Sequence, residues 1–304
     1  MKFIVGCKLG YKVEDAASFV LNIQPAELPR QKLGRESLIV TPELPLETYL
    51  MPESGNRYVR FQAGAGELLI EYEAEIELDP RRDDPATVAE IPVPELPFPT
   101  LPHLYPSRYC QADRLPRAAQ SDFGHLPPGH GRVTAICNWI YEQIEYRRGT
   151  SDEHTSAADT LIDRAGVCRD FAHLMIAICR ALSIPARFTT GIDYGADPAL
   201  GPTDFHAYVE VFLSGRWYMF DPSGTAIPMG FVRIGTGRDA ADVRVRQVRR
   251  VVERVVRRDA AVRDVQDRHG HAFPSAPSFG AIPDASRSSS AQDGSHSTRS
   301  SRAP

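Results

Sequence analysis

Cys168 follows Gly166-Val167 and opens an apolar run of helical period. Phe171, Leu174, Met175, Ile178 and Leu182 recur at i, i+3, i+4, i+7 and i+11. The spacing predicts a buried helix with Cys168 in its first turn, ending near Ser183-Ile184-Pro185. Free N–H groups and the dipole at a helix N-terminus favour negative charge. That position therefore favours the thiolate, the nucleophilic form of cysteine. A thiolate nucleophile needs a base, and the base needs a group that orients it. His206 and Asp221, downstream, are of the right types.

Their geometry depends on a hairpin. Thr203 to Leu213 reads as a strand, Ser214-Gly215 as a turn, and Arg216 to Asp221 as the return strand, which Pro222 stops. A two-residue loop pairs Leu213 with Arg216 and Tyr208 with Asp221. His206 and Asp221 are then diagonal neighbours on one face, within reach of a side-chain hydrogen bond. A register slip of one residue would put them on opposite faces.

Three separated stretches now stand in order: Gly166-Val167-Cys168-Arg169-Asp170-Phe171, Phe205-His206-Ala207-Tyr208-Val209-Glu210 and Trp217-Tyr218-Met219-Phe220-Asp221-Pro222. Together they resemble the transglutaminase-like superfamily of papain-type enzymes, above all its bacterial cysteine-protease branch. The resemblance is strong over 104–240 and looser before it. It implies Cys168 as nucleophile, His206 as general base and Asp221 as the residue that orients it. It also implies acyl transfer from an amide through a thioester. The acceptor is an amine in transglutaminases and water in proteases or deamidases, and the residues do not choose between them. Some members keep the fold as a catalytically silent peptide-binding module, which is the alternative for this chain.

A length of 304 residues allows two domains, and 42% apolar residues is ordinary for a globular protein. A net charge of −4 argues against a general nucleic-acid or membrane-surface binder. Cys7, Cys110, Cys137, Cys168 and Cys179 form no CxxC pair and no zinc spacing. No EF-hand spacing occurs either, so no metal or cofactor is expected. Scattered free thiols suit a reducing compartment. The first apolar run is too short for a signal peptide, and the expected location is cytoplasmic. A protein or peptide substrate is the expected partner.

The predicted fold class is α+β. Residues 1–80 read as a β-sandwich-like N-terminal domain, with strands at Lys2–Leu9, Ala17–Ile23, Glu36–Thr41, Arg57–Gln62 and Gly66–Leu78. The last alternates apolar residues with glutamates, a face expected to meet solvent. Ten prolines in 81–128 predict an extended connector without regular helix. Within it Leu104 to Cys110 is expected to pack on the next domain, with Cys110 a packed residue.

Residues 129–242 read as the papain-like transglutaminase core. It opens with an amphipathic helix over Gly131–Arg147, which buries Cys137. A short helix over Asp159–Asp163 leads into Arg164-Ala165-Gly166. Trp139 and Tyr146 are candidates to line an acyl pocket, with packing the default for both. His154 reads as solvated, and His173, Met175 and Cys179 as structural. Ala186 to Ile192 reads as a strand, and Asp193 to Pro202 as a loop at the cleft mouth.

Residues 243–304 read as a basic, partly disordered tail. The chain carries +5 from residue 241 on and −9 before it. Val243 to Val265 could form one charged helix, with disorder beyond His271. The aromatic strand that closes related domains is absent from this stretch. A solvated appendage, or a C-terminus read out of frame, explains it better than a polyanion-binding arm.

Overall fold

The computed structural model describes residues 2–80, 82–192, 205–224 and 231–243, with the backbone of 246–248, 252–253 and 261–264. Strands β1 (Lys2–Val13), β2 (Ala17–Leu21), β3 (Gln31–Thr41), β4 (Glu47–Leu50), β5 (Arg57–Ala63) and β6 (Gly66–Leu78) form two antiparallel sheets. β1, β6 and β3 are neighbours in one, and β2, β5 and β4 in the other. Residues of both sheets share one core, where Phe19 stacks on Phe61 at 5.2 Å. β6 turns Leu68, Ile70, Tyr72, Ala74 and Ile76 inward. Its glutamates face out, where Glu71 pairs with Lys8 and Glu75 with Arg35, each at 2.7 Å. Period-2 alternation explains this one-sided burial.

The connector departs from expectation. It contains short 3₁₀ turns and one true helix, α1 (Pro116–Phe123). Pro116 stands at the first helical position, where its missing N–H costs nothing. Tyr109 and Cys110 are buried in the second core, as packed residues. Tyr105 is exposed.

Helix α2 (His130–Gln143) is shorter than predicted. Its β-branched Ile144 is extended, and the chain continues as β7 (Glu145–Tyr146), parallel to β8 (Ala165–Gly166). Between them lies α3 (Ala157–Asp163), capped by Ser156. Helix α4 (Cys168–Ala181) follows at once. Strands β9 (Ala186–Ile192), β10 (Phe205–Leu213), β11 (Arg216–Phe220) and β12 (Val232–Gly237) form an antiparallel sheet in the order β11-β10-β9-β12. Phe171, Leu174, Met175 and Ile178 of α4 share a core with Phe188, Val209 and Val211 of this sheet.

The free edge of this sheet at β12 is met by the sandwich. Ile192, Val232 and Ile234 belong to the sandwich core. The buried amide of Gln31 donates to Arg233 O at 2.7 Å and accepts from Arg233 N–H at 2.8 Å. Asn56 repeats the pattern on Thr236, at 2.8 and 2.9 Å. Two side-chain amides thus do for β12 what a further strand would do for its edge.

Past residue 243, β13 (Arg246–Val248) runs along β2, while β14 (Val252–Glu253) and β15 (Ala261–Asp264) run along β1. One continuous helix over 243–265 is therefore not formed. Valine-rich sequence suits strand backbone, and β1 and β2 offer sheet edges to it. The loop predicted at Asp193–Pro202 and the disorder predicted beyond His271 lie outside the described residues.

Candidate active site

Cys168 stands in the first turn of α4, half-buried. Asp170 caps this helix: its Oδ2 accepts from Val167 N–H at 2.9 Å. Arg169 holds the other carboxylate oxygen and also donates to Asp152 O at 2.6 Å. Gly166 is required here, because a Cβ on it would lie 2.8 Å from Asp170 Cβ. The turn into the cysteine is thus held by polar contacts around the buried Asp170 carboxylate.

The hairpin carries the second part. Ser214 and Gly215 both have positive φ, at 44° and 80°, as a two-residue type I′ turn demands. The register is the one the loop length predicts, with Leu213 opposite Arg216 and Val209 opposite Phe220. Asp221 follows directly after β11. His206 Nε2 lies 3.3 Å from Asp221 Oδ2, and both side chains are almost entirely buried. Cys168 lies near enough to His206 to act on its charge. Burial alone would push the imidazole down. The Asp221 carboxylate bonded to the ring and the nearby Cys168 sulfur outweigh it and hold His206 up to about 10.

The structure therefore brings Cys168, His206 and Asp221 together. It adds two neighbours. Ser223 donates from its N–H and its hydroxyl to Asp221 Oδ1, at 3.0 and 2.6 Å. Tyr146 is fixed by pairing with Gly166, and its ring lies 5.9 Å from that of Phe171. Its phenol is pushed up by burial, then by the sulfur of Cys168. Arg148 and a hydrogen bond with the Cys168 backbone act the other way.

Trp139, the other acyl-pocket candidate, instead packs edge-on to Phe123, with the Arg164 guanidinium over its ring at 5.3 Å. His173 is buried between Tyr109 and Phe188 and accepts from Ala240 N–H at 3.2 Å. His154 is exposed beside Glu153. Among the described residues, no group of three or more His, Cys, Asp and Glu side chains is arranged to hold a metal ion.

Residues 117–222 match the Transglutaminase-like superfamily, and residues 1–98 match the family Bacterial transglutaminase, N-terminal domain. A crystal structure from Cytophaga hutchinsonii, described as "a putative cysteine protease", is 35% identical with a TM-score of 0.80. The match covers 90% of this chain and 94% of that one. This chain belongs to the transglutaminase-like superfamily. It is also 34% identical over 116 residues to an uncharacterized protein of Mycobacterium leprae, and over 119 residues to one of Mycobacterium tuberculosis. Those matches span 36% of this chain and about two fifths of the mycobacterial proteins, 41% and 38%.

Proposed function

We propose that this transglutaminase-like chain is a cysteine enzyme acting on amide or peptide bonds of a protein or peptide substrate. The observation that carries this reading is His206, 3.3 Å from Asp221 and raised by that carboxylate and by the nearby sulfur of Cys168, which opens α4. Such a histidine can take the thiol proton and keep it as an imidazolium, leaving a thiolate at a helix N-terminus. With Nε2 turned to Asp221, Nδ1 is the nitrogen that exchanges this proton with sulfur.

The thiolate adds to the amide carbonyl. The developing oxyanion is met by the Cys168 backbone N–H, and the Tyr146 hydroxyl, near that backbone, turns its proton to the oxyanion as the second donor. His206 then protonates the leaving amine, which leaves a thioester on Cys168. Water or a second amine attacks the thioester, giving its proton to His206, and free Cys168 returns. The description of the Cytophaga hutchinsonii relative speaks for water as the acceptor.

The test is the pH dependence of Cys168 alkylation, read by peptide mass spectrometry, in wild type and in His206→Ala. Rapid labelling well below pH 8.5, about the pKa of a free thiol, that is lost in His206→Ala is the expected result. Amide substrates are then tested with and without an amine acceptor. Labelling that tracks an ordinary thiol in both proteins would overturn the reading in favour of a silent peptide-binding module.

A further inference from the structure

The two oxygens of Asp221 have different partners. Oδ2 faces His206 Nε2 at 3.3 Å, which is long for an N–H···O bond. Oδ1 takes both donors of Ser223, the backbone N–H at 3.0 Å and the hydroxyl at 2.6 Å. The same Ser223 oxygen lies 3.4 Å from His206 Nε2. Ser223 is 3% exposed, so no bulk water competes for these contacts. A hydroxyl that donates to Oδ1 keeps its lone pairs, and these can accept. The Nε2–H of His206 therefore has two oxygen neighbours, one from each residue.

We propose that Ser223 is a positioning residue of this site: its hydroxyl locks the Asp221 carboxylate and gives His206 Nε2–H a second acceptor. The proposal rests on the triad reading above. When Cys168 gives its proton to Nδ1, the imidazolium is held by two oxygens rather than by one long bond. Ser223 gains and loses no proton in this step. Asp221 sits just past the end of β11, and its side-chain torsions set which way the carboxylate faces. The paired bonds to Ser223 restrain them, since rotating the carboxylate would break both. Charge-assisted bonds of this kind strengthen when the histidine becomes charged.

The experiment is the rate of Cys168 alkylation by iodoacetamide against pH in wild type, Ser223→Ala, Ser223→Thr and His206→Ala. The thermal midpoint of each is measured alongside. Ser223→Ala is expected to move the reactive window upward by about one pH unit, so labelling on the acid limb slows by about tenfold. Ser223→Thr keeps the hydroxyl and is expected to restore the wild-type profile. A purely structural serine would change the thermal midpoint and leave the pH profile of the folded protein where it is.

Superimposed profiles for Ser223→Ala and wild type, with His206→Ala defective, would overturn the proposal and leave the triad reading standing. A shift that Ser223→Thr fails to reverse would also overturn it. An ordinary-thiol profile in wild type and His206→Ala alike would instead mean that the triad reading itself had failed.

Discussion

Burial pushes the thiols of Cys7, Cys110 and Cys137 up to about 12, and raises that of Cys179 as well. Raised thiols are poor nucleophiles, and although Cys137 is half-buried like Cys168, it is Cys168 that stands beside His206. Brief treatment of the native protein with iodoacetamide is therefore expected to modify Cys168 alone. Peptide mapping checks this, and equal labelling of Cys137 would refute it. Tyr146→Phe tests the second oxyanion donor: turnover should fall by about 100-fold while Cys168 labelling stays at the wild-type rate.

His206 also links stability to pH. It is held up to about 10 in the fold, above the ordinary 6.5, so its contribution is fully present below pH 6.5 and is lost as pH rises through 10. The thermal advantage of wild type over Asp221→Asn should accordingly be largest at pH 6 and shrink toward pH 10. Cys168, His206 and Asp221 were readable in the sequence because each sits in a local pattern: a helix start, a strand and a strand end. Tyr146 was readable as an acyl-pocket candidate but not as a neighbour of the Cys168 backbone, and the contacts of Ser223 were not readable at all. One depends on a two-residue parallel bridge, the other on hydroxyl contacts that no periodicity encodes.

Among the elements, β10 is tied to β9 and, across it, to β12 by Glu210. Its carboxylate pairs with Arg187 of β9 at 2.6 Å and with Arg233 of β12 at 3.2 Å, in a nearly dry site. Burial alone would raise Glu210, but the two guanidiniums outweigh it and hold the group below its usual range. Glu210→Gln would leave two buried positive charges with no countercharge, at a cost of about 3–5 kcal/mol. Urea unfolding measures this, and a loss below about 1 kcal/mol would mean that solvent reaches the pair. Such a loss loosens the strand that carries His206, so alkylation of Cys168 should lose its pH dependence in step. At this scale α4 was readable from its 3.6-residue period, and the β10–β11 register from the two-residue turn. β12 carries no strand signal, because Gly235 and Gly237 interrupt its apolar pattern and its edge is completed by Gln31 and Asn56, far away in sequence. Helix α1 was masked by its own proline.

For the molecule as a whole, the question is whether the N-terminal sandwich is a separate module or part of the site's foundation. Ile192, Val232 and Ile234 lie in the sandwich core although they belong to the sheet that carries His206, and the amides of Gln31 and Asn56 close the edge of that sheet. A shared core and shared edge bonds predict one cooperative unfolding transition rather than two. The chain supplies its own reporter, since both tryptophans, Trp139 and Trp217, lie outside the sandwich. Phe19 is fully buried against Phe61 within it. Phe19→Ala should cost about 3–5 kcal/mol through the cavity it leaves. If the two halves are coupled, tryptophan fluorescence will register that loss with the same midpoint shift as far-ultraviolet circular dichroism, even though no tryptophan touches the mutated site. Independent halves would instead leave the fluorescence midpoint at its wild-type value. In the coupled case, damage to the sandwich also loosens β12 and β9. β9 pairs with β10 at His206, so catalytic competence would depend on residues that never approach the thiol.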